Sequence, residues 1–132
     1  MDDHRRTRAR SLRSRLQRWF DTPVGRLVCK AERELMQDIM ADLFGFHALQ
    51  IGRVDDADYL ETSRASHRAV VALQPSPRAG DAMVCSAQAL PFAADSVDVV
   101  VLAHVIEFES DPYQVLREVD RVLVGEGHVV VL

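Results

Sequence analysis

The hydrophobic pattern of this chain begins with a helical period and then changes to short continuous runs. Over residues 22–45, Val24, Leu27, Val28, Ala31, Leu35, Ile39 and Leu43 recur mostly at steps of three and four, which sets them on one face of a helix. Thr22 is suited to cap that helix. Pro23 suits its first position, where a missing N–H costs nothing. Gly45 suits the stop. Arg26, Lys30, Arg33, Glu34 and Asp38 fall on the opposite face, so the pattern predicts a surface helix packed on a larger body.

The runs that follow read as strands. HALQI at 47–51, ending at Gly52, predicts a buried strand, and RAVVAL at 68–73 predicts a second. Between them, residues 55–64 predict a short helix with Tyr59 and Leu60 turned inward. A loop with two prolines and a glycine occupies 74–80, and residues 82–85 predict a short third strand. VDVVVLA at 97–103 is apolar almost throughout, as in a parallel sheet buried on both faces. Asp111 then serves as an N-cap, Pro112 as the first helical residue, and Gln114 completes a pattern like a capping box. Val115, Leu116, Val119, Val122 and Leu123 form the inward stripe of a helix over 111–124, which Gly125 and Gly127 end. HVVVL at 128–132 begins a further strand. Strands alternating with helices argue for an α/β domain with a mostly parallel sheet.

Composition changes this picture at the N-terminus. Residues 1–18 hold seven arginines (Arg5, Arg6, Arg8, Arg10, Arg13, Arg15 and Arg18) against Asp2 and Asp3, while the whole chain carries a net charge of −4. The segment therefore reads as a basic, disordered arm on an acidic domain spanning 19–132. RNA, an anionic lipid surface or an acidic partner are the ligands such an arm would serve. The acidic body disfavours nucleic acid as its principal ligand. Trp19 and Phe20 are expected to pack the leading helix onto the body. Two cysteines make neither a disulfide scaffold nor a four-cysteine zinc site, and no His/Cys/Asp cluster has metal-ligand spacing. With no membrane span and no secretory signal, a cytoplasmic setting is expected.

Val129, Val130, Val131 and Leu132 would form a bare apolar sheet edge, which natural proteins avoid. The expectation is a piece of a longer protein, or a partner that covers this strand.

In an open parallel sheet, ligands bind beyond the carboxyl ends of the strands. The first such loop has one glycine, Gly52, followed by Asp55 and Asp56, so it lacks the several glycines that bring backbone N–H groups against a pyrophosphate. The two aspartates suit either a cationic ligand or the first turn of the next helix. No phosphate-binding P-loop occurs.

Residues 89–127 (ALPFAADSVDVVVLAHVIEFESDPYQVLREVDRVLVGEG) closely resemble class I S-adenosylmethionine-dependent methyltransferases of the type 11 group. The residues that carry the resemblance are Leu90, Pro91, Phe92, Ser96, Asp98, Val100, Glu107, Asp111, Pro112, Leu116, Glu118, Arg121, Val122, Leu123 and Gly127. It implies a Rossmann-like, doubly wound, mostly parallel sheet of about five strands behind a leading helix, incomplete at the C-terminus. It also implies transfer of a methyl group from S-adenosyl-L-methionine to an acceptor that the motifs do not identify. Departures from the family pattern are equally specific. The glycine loop is reduced to Gly52, the usual ribose-binding acid is replaced around Gln74, and Ser86 stands where an aspartate is usual near the adenine. Gly125-Glu126-Gly127 replaces the usual Pro-Gly-Gly turn.

From this resemblance the cofactor is expected against Gly52, Gln74, Ser86, Ala87 and His104, with His104 and Glu107 as the catalytic candidates just past the fourth strand. Leu90 and Phe92 are expected to combine core packing with a wall near the adenine. Cys85 is expected to be a packing residue, and His47, His67 and His128 to sit at strand ends. The alternative reading is a non-catalytic methyltransferase-like module that binds a protein partner at its open sheet edge or RNA through the arginine arm.

Overall fold

The computed structural model describes residues 2–53, 58–75 and 82–132. In chain order its elements are α1 (Asp2–Phe20), α2 (Pro23–Ala41), β1 (His47–Ile51), β2 (His67–Val71), β3 (Val97–Leu102), a 3-10 turn (Ile106–Phe108), α3 (Pro112–Val122) and β4 (Leu123–Val131). The four strands form one parallel sheet in the order β2-β1-β3-β4. This is the Rossmann-like architecture expected, with one strand fewer. The predicted strand at 82–85 is reduced to a single bridge, in which Ala72 donates its N–H to Met83 O (2.8 Å) and accepts from Cys85 N (2.9 Å).

β3 explains why two faces can be filled. From Val99 onward its side chains alternate between two cores: Val99 and Val101 join Phe20, Cys29, Met36, Met40, Ala48, Tyr59 and Leu60 on the α1/α2 side. Val97, Val100 and Leu102 join Leu49, Ile51, Val71, Leu90, Val115, Val119 and Val122 on the α3 side. At the start of the sheet, the His47 and His67 rings stack at 4.9 Å, because parallel register pairs these two residues.

Four segments depart from the sequence pattern. The arginine-rich segment expected to be disordered is helical. It has neither Gly nor Pro, and Leu12, Leu16 and Phe20 recur every four residues along one side. Phe20 is buried and Leu16 packs on the α1/α2 core, so the apolar side has a surface to meet. α2 has its predicted cap, with Thr22 Oγ1 accepting from Gly25 N at 3.1 Å. Yet it presents Gly25, Cys29, Met36 and Met40 to the core and leaves Val24, Leu27 and Leu35 exposed. Val28, Ile39 and Leu43 of the predicted stripe pack against the α1/α2 core, so the helix is turned by less than one residue's roughly 100° from the face the periodicity favoured. At the α1–α2 corner a side chain on Gly25 would lie 2.2 Å from Trp19 O, so only glycine allows this approach. The predicted helix over 55–64 is a turn in its described part, although Tyr59 and Leu60 are buried as expected; Asp55 and Asp56 lie outside the described residues. Finally, β4 begins at Leu123, directly from α3, rather than beyond the glycines. The extra residues are absorbed where the register against β3 shifts between Val97 and Val99. Val129 and Val131 of β4 are exposed.

Several residues of the 89–127 motif are architecture. Asp98 Oδ2 accepts from Phe46 N (2.9 Å) and His47 N (3.0 Å), tying the start of β1 to β3. On α3, Glu118 accepts from Leu90 N (2.8 Å) and pairs with Arg121, which donates to Leu90 O (3.0 Å) and Phe92 O (2.9 Å). The Arg121 guanidinium beside it holds the Glu118 carboxyl below the usual glutamate value. A folded-state value below the unfolded one contributes stability at neutral pH that disappears as the pH falls through the folded value. Glu118→Gln is therefore expected to lower the thermal midpoint at pH 7, with a difference from wild type that narrows at pH 3. Calorimetric melts at the two pH values check this.

Candidate functional site

The strand ends are joined by backbone before any side chain acts. Gly52, at the end of β1, has a φ of +85° and donates to Val71 O at 3.0 Å. A Cβ there would lie 2.8 Å from Ala103 O, so glycine lets the ends of β1 and β3 close together. Beneath them Gln50, fully buried, accepts from Tyr59 N (2.8 Å) and donates to Gly52 O (3.0 Å). The apolar run HALQI thus conceals a polar residue that organises the site.

His104 follows β3 with a φ of +52°, a conformation seldom adopted by non-glycine residues and often found at functional sites. Its N–H donates to Leu132 O at 3.2 Å. Its ring stands between two carboxylates. Nε2 lies 2.9 and 3.2 Å from the two oxygens of Glu32, and Nδ1 lies 3.1 Å from Glu107 Oε1. Phe20 packs against the ring at 5.5 Å between centroids. The Tyr59 hydroxyl donates to Glu32 Oε2 at 3.0 Å. Burial and the neighbouring Glu32 push the Tyr59 hydroxyl well above the ordinary tyrosine value, so it remains a donor. Chemically, this is a histidine oriented from one side by a shielded carboxylate, with a more exposed carboxylate on the other.

The structure brings the two candidates His104 and Glu107 together and adds Glu32 and Tyr59, which the sequence reading missed as site residues. Glu32 carries a signal in retrospect: it falls among Cys29, Met36 and Met40 on the buried face of α2. A carboxylate on such a face requires a partner.

The other expected ligand residues lie along the same strand ends. Gln74, just past β2, donates to Ser14 Oγ of α1 at 3.2 Å, while its Oε1 is buried without a partner. Ser86 is exposed, and its Oγ accepts from Gln88 N at 3.2 Å. Ala87 has its methyl committed to the α3-side core. Gln88 reaches Glu109 (3.1 Å) and Ser110 (3.2 Å), and Arg13 of α1 also pairs with Glu109. α1 thus spans the strand ends, touching the β2 side through Ser14 and the β3 side through Arg13 and Phe20. Burial pushes the Cys85 thiol up, which suits packing rather than nucleophilic chemistry. Among the described residues no cluster is arranged to hold a metal ion, and no helix is long and apolar enough to cross a membrane.

A family model described as a methyltransferase domain matches residues 44–131. The uncharacterized protein YafS of Escherichia coli (strain K12) is 37% identical over 113 residues, covering 86% of this chain and 46% of YafS. The chain therefore spans less than half the length of that relative. Among solved structures, a SAM-dependent methyltransferase of Aquifex aeolicus superposes with a TM-score of 0.66 at 14% identity, covering 90% of this chain and 71% of the other. The complex between the Trm112 methyltransferase activator of Haloferax volcanii and a methyltransferase gives 0.61 at 20% identity, covering 74% of this chain and 49% of the other. At these identities the structures show the shared fold alone.

Proposed function

This chain belongs to the methyltransferase domain family, as a class I S-adenosylmethionine-dependent domain, and from that premise we propose that its strand-end crevice binds S-adenosyl-L-methionine and directs methyl transfer to an acceptor held near His104. The observation that carries the cofactor reading is Gln74. Its buried Oε1 has no partner, and a ribose hydroxyl is the donor that would complete it. Gly52 has a structural part beside this, because its missing Cβ lets the ends of β1 and β3 close against each other next to His104. Ser86 and the backbone of Ala87 would flank the adenine, and His104 the methionine end. When bound, the cofactor supplies an electrophilic methyl group.

The protein's own share is positioning and proton handling. His104 accepts a proton from the acceptor group, and Glu107 stabilises the imidazolium that results. α1 covers the strand ends through Arg13, Ser14 and Phe20 and helps exclude water. A cytoplasmic setting, where this cofactor and reduced cysteines coexist, suits the reading.

Calorimetric titration with S-adenosylhomocysteine tests it. Saturable binding is expected, and Gln74→Ala should weaken it by about tenfold, the equivalent of one good hydrogen bond. No heat at millimolar ligand would refute the cofactor assignment.

A second reading, a non-catalytic module that binds RNA, is favoured by one observation. Arg8, Arg10, Arg15 and Arg18 are exposed on a docked helix whose apolar side is already engaged by the body. Fluorescence anisotropy with a single-stranded RNA across salt concentrations is the check. If RNA is a ligand, replacing Arg8, Arg15 and Arg18 by glutamine should lower the salt slope by about 2. Absence of binding at low salt, or an unchanged slope, removes this reading.

A further inference from the structure

The two carboxylates at His104 are not equivalent. Glu32 meets Nε2 with both oxygens, its side chain is 17% exposed, and the Tyr59 hydroxyl holds one of those oxygens. Glu107 meets Nδ1 with one oxygen and its side chain is 44% exposed. A neutral imidazole has one N–H to give. Water can serve Glu107, whereas Glu32 is shielded between α2, the Tyr59 turn and the histidine itself. A shielded carboxylate loses more when its donor is removed.

We infer that Glu32 and Tyr59 are positioning residues that fix neutral His104 as its Nε2–H tautomer and leave Nδ1 as the proton-accepting atom of the crevice. The inference rests on the reading of His104 as the base in methyl transfer, and it assigns that role to one atom. In the Nε2–H tautomer Nδ1 and the Glu107 carboxylate are both acceptors, so Glu107 turns to water and leaves Nδ1 open to the entering acceptor. The acceptor's X–H bond breaks and its proton passes to Nδ1; the electron pair left on X would take the methyl carbon as the carbon–sulfur bond of the sulfonium breaks, that pair staying on sulfur in the released thioether. The imidazolium so formed keeps Glu32 at Nε2, and exposed Glu107 turns back to Nδ1 and passes the proton to solvent. Phe20 of α1 fills the flank of the ring, and Tyr59 is anchored in turn by Gln50 of β1, so the ring has little freedom to rotate away from Glu32.

Long-range proton–nitrogen spectra of the whole chain, with nitrogen-15 in its histidines and the ring neutral, report which nitrogen carries the hydrogen. The wild type should show His104 protonated at Nε2. In Glu32→Gln, the Tyr59 hydroxyl retains the carbonyl oxygen, so the amide NH2 faces Nε2 and the tautomer should switch to Nδ1–H. Adding Tyr59→Phe frees the amide to turn, and the switch should be lost. A wild-type ring protonated at Nδ1, or a Glu32→Gln ring that keeps the wild-type tautomer, overturns the inference. Should Glu32→Gln fail to fold, Tyr59→Phe alone must keep the Nε2–H form, because Glu32 still accepts from it; an even mixture there also overturns the inference. These spectra need no cofactor. The expected tautomers together with no S-adenosylhomocysteine binding would sink the methyltransferase reading and leave the positioning pair standing. Binding with unchanged tautomers would do the reverse.

Discussion

Gly52→Ala is expected to cost about 2–4 kcal/mol of folding stability and to weaken S-adenosylhomocysteine binding with it. Two effects combine. At a φ of +85° an L side chain is strained by about 1–2 kcal/mol. The new methyl would also stand 2.8 Å from Ala103 O and 3.0 Å from Val105 Cγ2, in a place where neither neighbour is a free side-chain end. Overpacking of this kind costs about 1–3 kcal/mol. The strain would be relieved by parting the ends of β1 and β3, which displaces His104, the residue after Ala103. Against a total of about 5–15 kcal/mol for an ordinary domain, such a loss is large. Urea unfolding with an unchanged slope measures it. Gly125→Ala is the control, because a Cβ there meets nothing within 4 Å and should move the midpoint little. Equal stability of the two variants would show that the strand ends are not closed through Gly52.

How much of this could be read from the residues depended on the range of the interaction. Local signals were legible. Thr22 and Asp111 cap their helices with Pro23 and Pro112 behind them, as cap chemistry requires. Even there only half of the capping box forms. Gln114 reaches Gln88 O at 3.1 Å instead of turning back, because the turn at residue 88 lies against the helix start. His104 and Glu107 are three residues apart and meet across one short turn. Long-range matches were not legible. Glu32 lies 72 residues from His104 in sequence, and their contact exists only because α2 is rotated away from its most apolar-looking face. Periodicity alone chose Val24, Leu27 and Leu35 for the core, since it measures hydrophobicity and is blind to the corner at Gly25. The arginines of α1 concealed its packing side for a similar reason. Charge dominates the composition of the segment, while burial is decided by Leu16 and Phe20.

The motif that identified the family illustrates a further distinction. Asp98, Glu118 and Arg121 carry the resemblance as charged residues in a recognisable order, and each hydrogen-bonds backbone groups of neighbouring segments. They establish the frame on which a crevice can sit. The groups with free chemical capacity are elsewhere: at Gln74, where the chain departs from the family pattern, and around His104, where Glu107 is the one matched residue.

Gln50→Leu should therefore be among the most damaging changes of similar volume in the chain, with an expected loss of about 2–5 kcal/mol. The side chain is 0% exposed, so leucine would be favoured at this position on hydrophobicity alone. It would leave Tyr59 N–H without its acceptor and Gly52 C=O without its donor. Each buried unpaired group costs about 1–3 kcal/mol, more than the added apolar burial returns. The consequence reaches the site by a defined route. Once Tyr59 N–H is released, its turn is no longer held to β1, the ring that shields Glu32 moves off and opens it to solvent, and the hydroxyl contact to Glu32 is lost. Tyr59→Phe removes only the last of these contacts and should cost far less. Thermal and urea unfolding of the two variants give the stabilities, and the His104 nitrogen spectra give the state of the ring. A Gln50→Leu chain that melts like wild type and keeps an ordered Nε2–H ring would show that the polar link between β1 and the Tyr59 turn does not support the site.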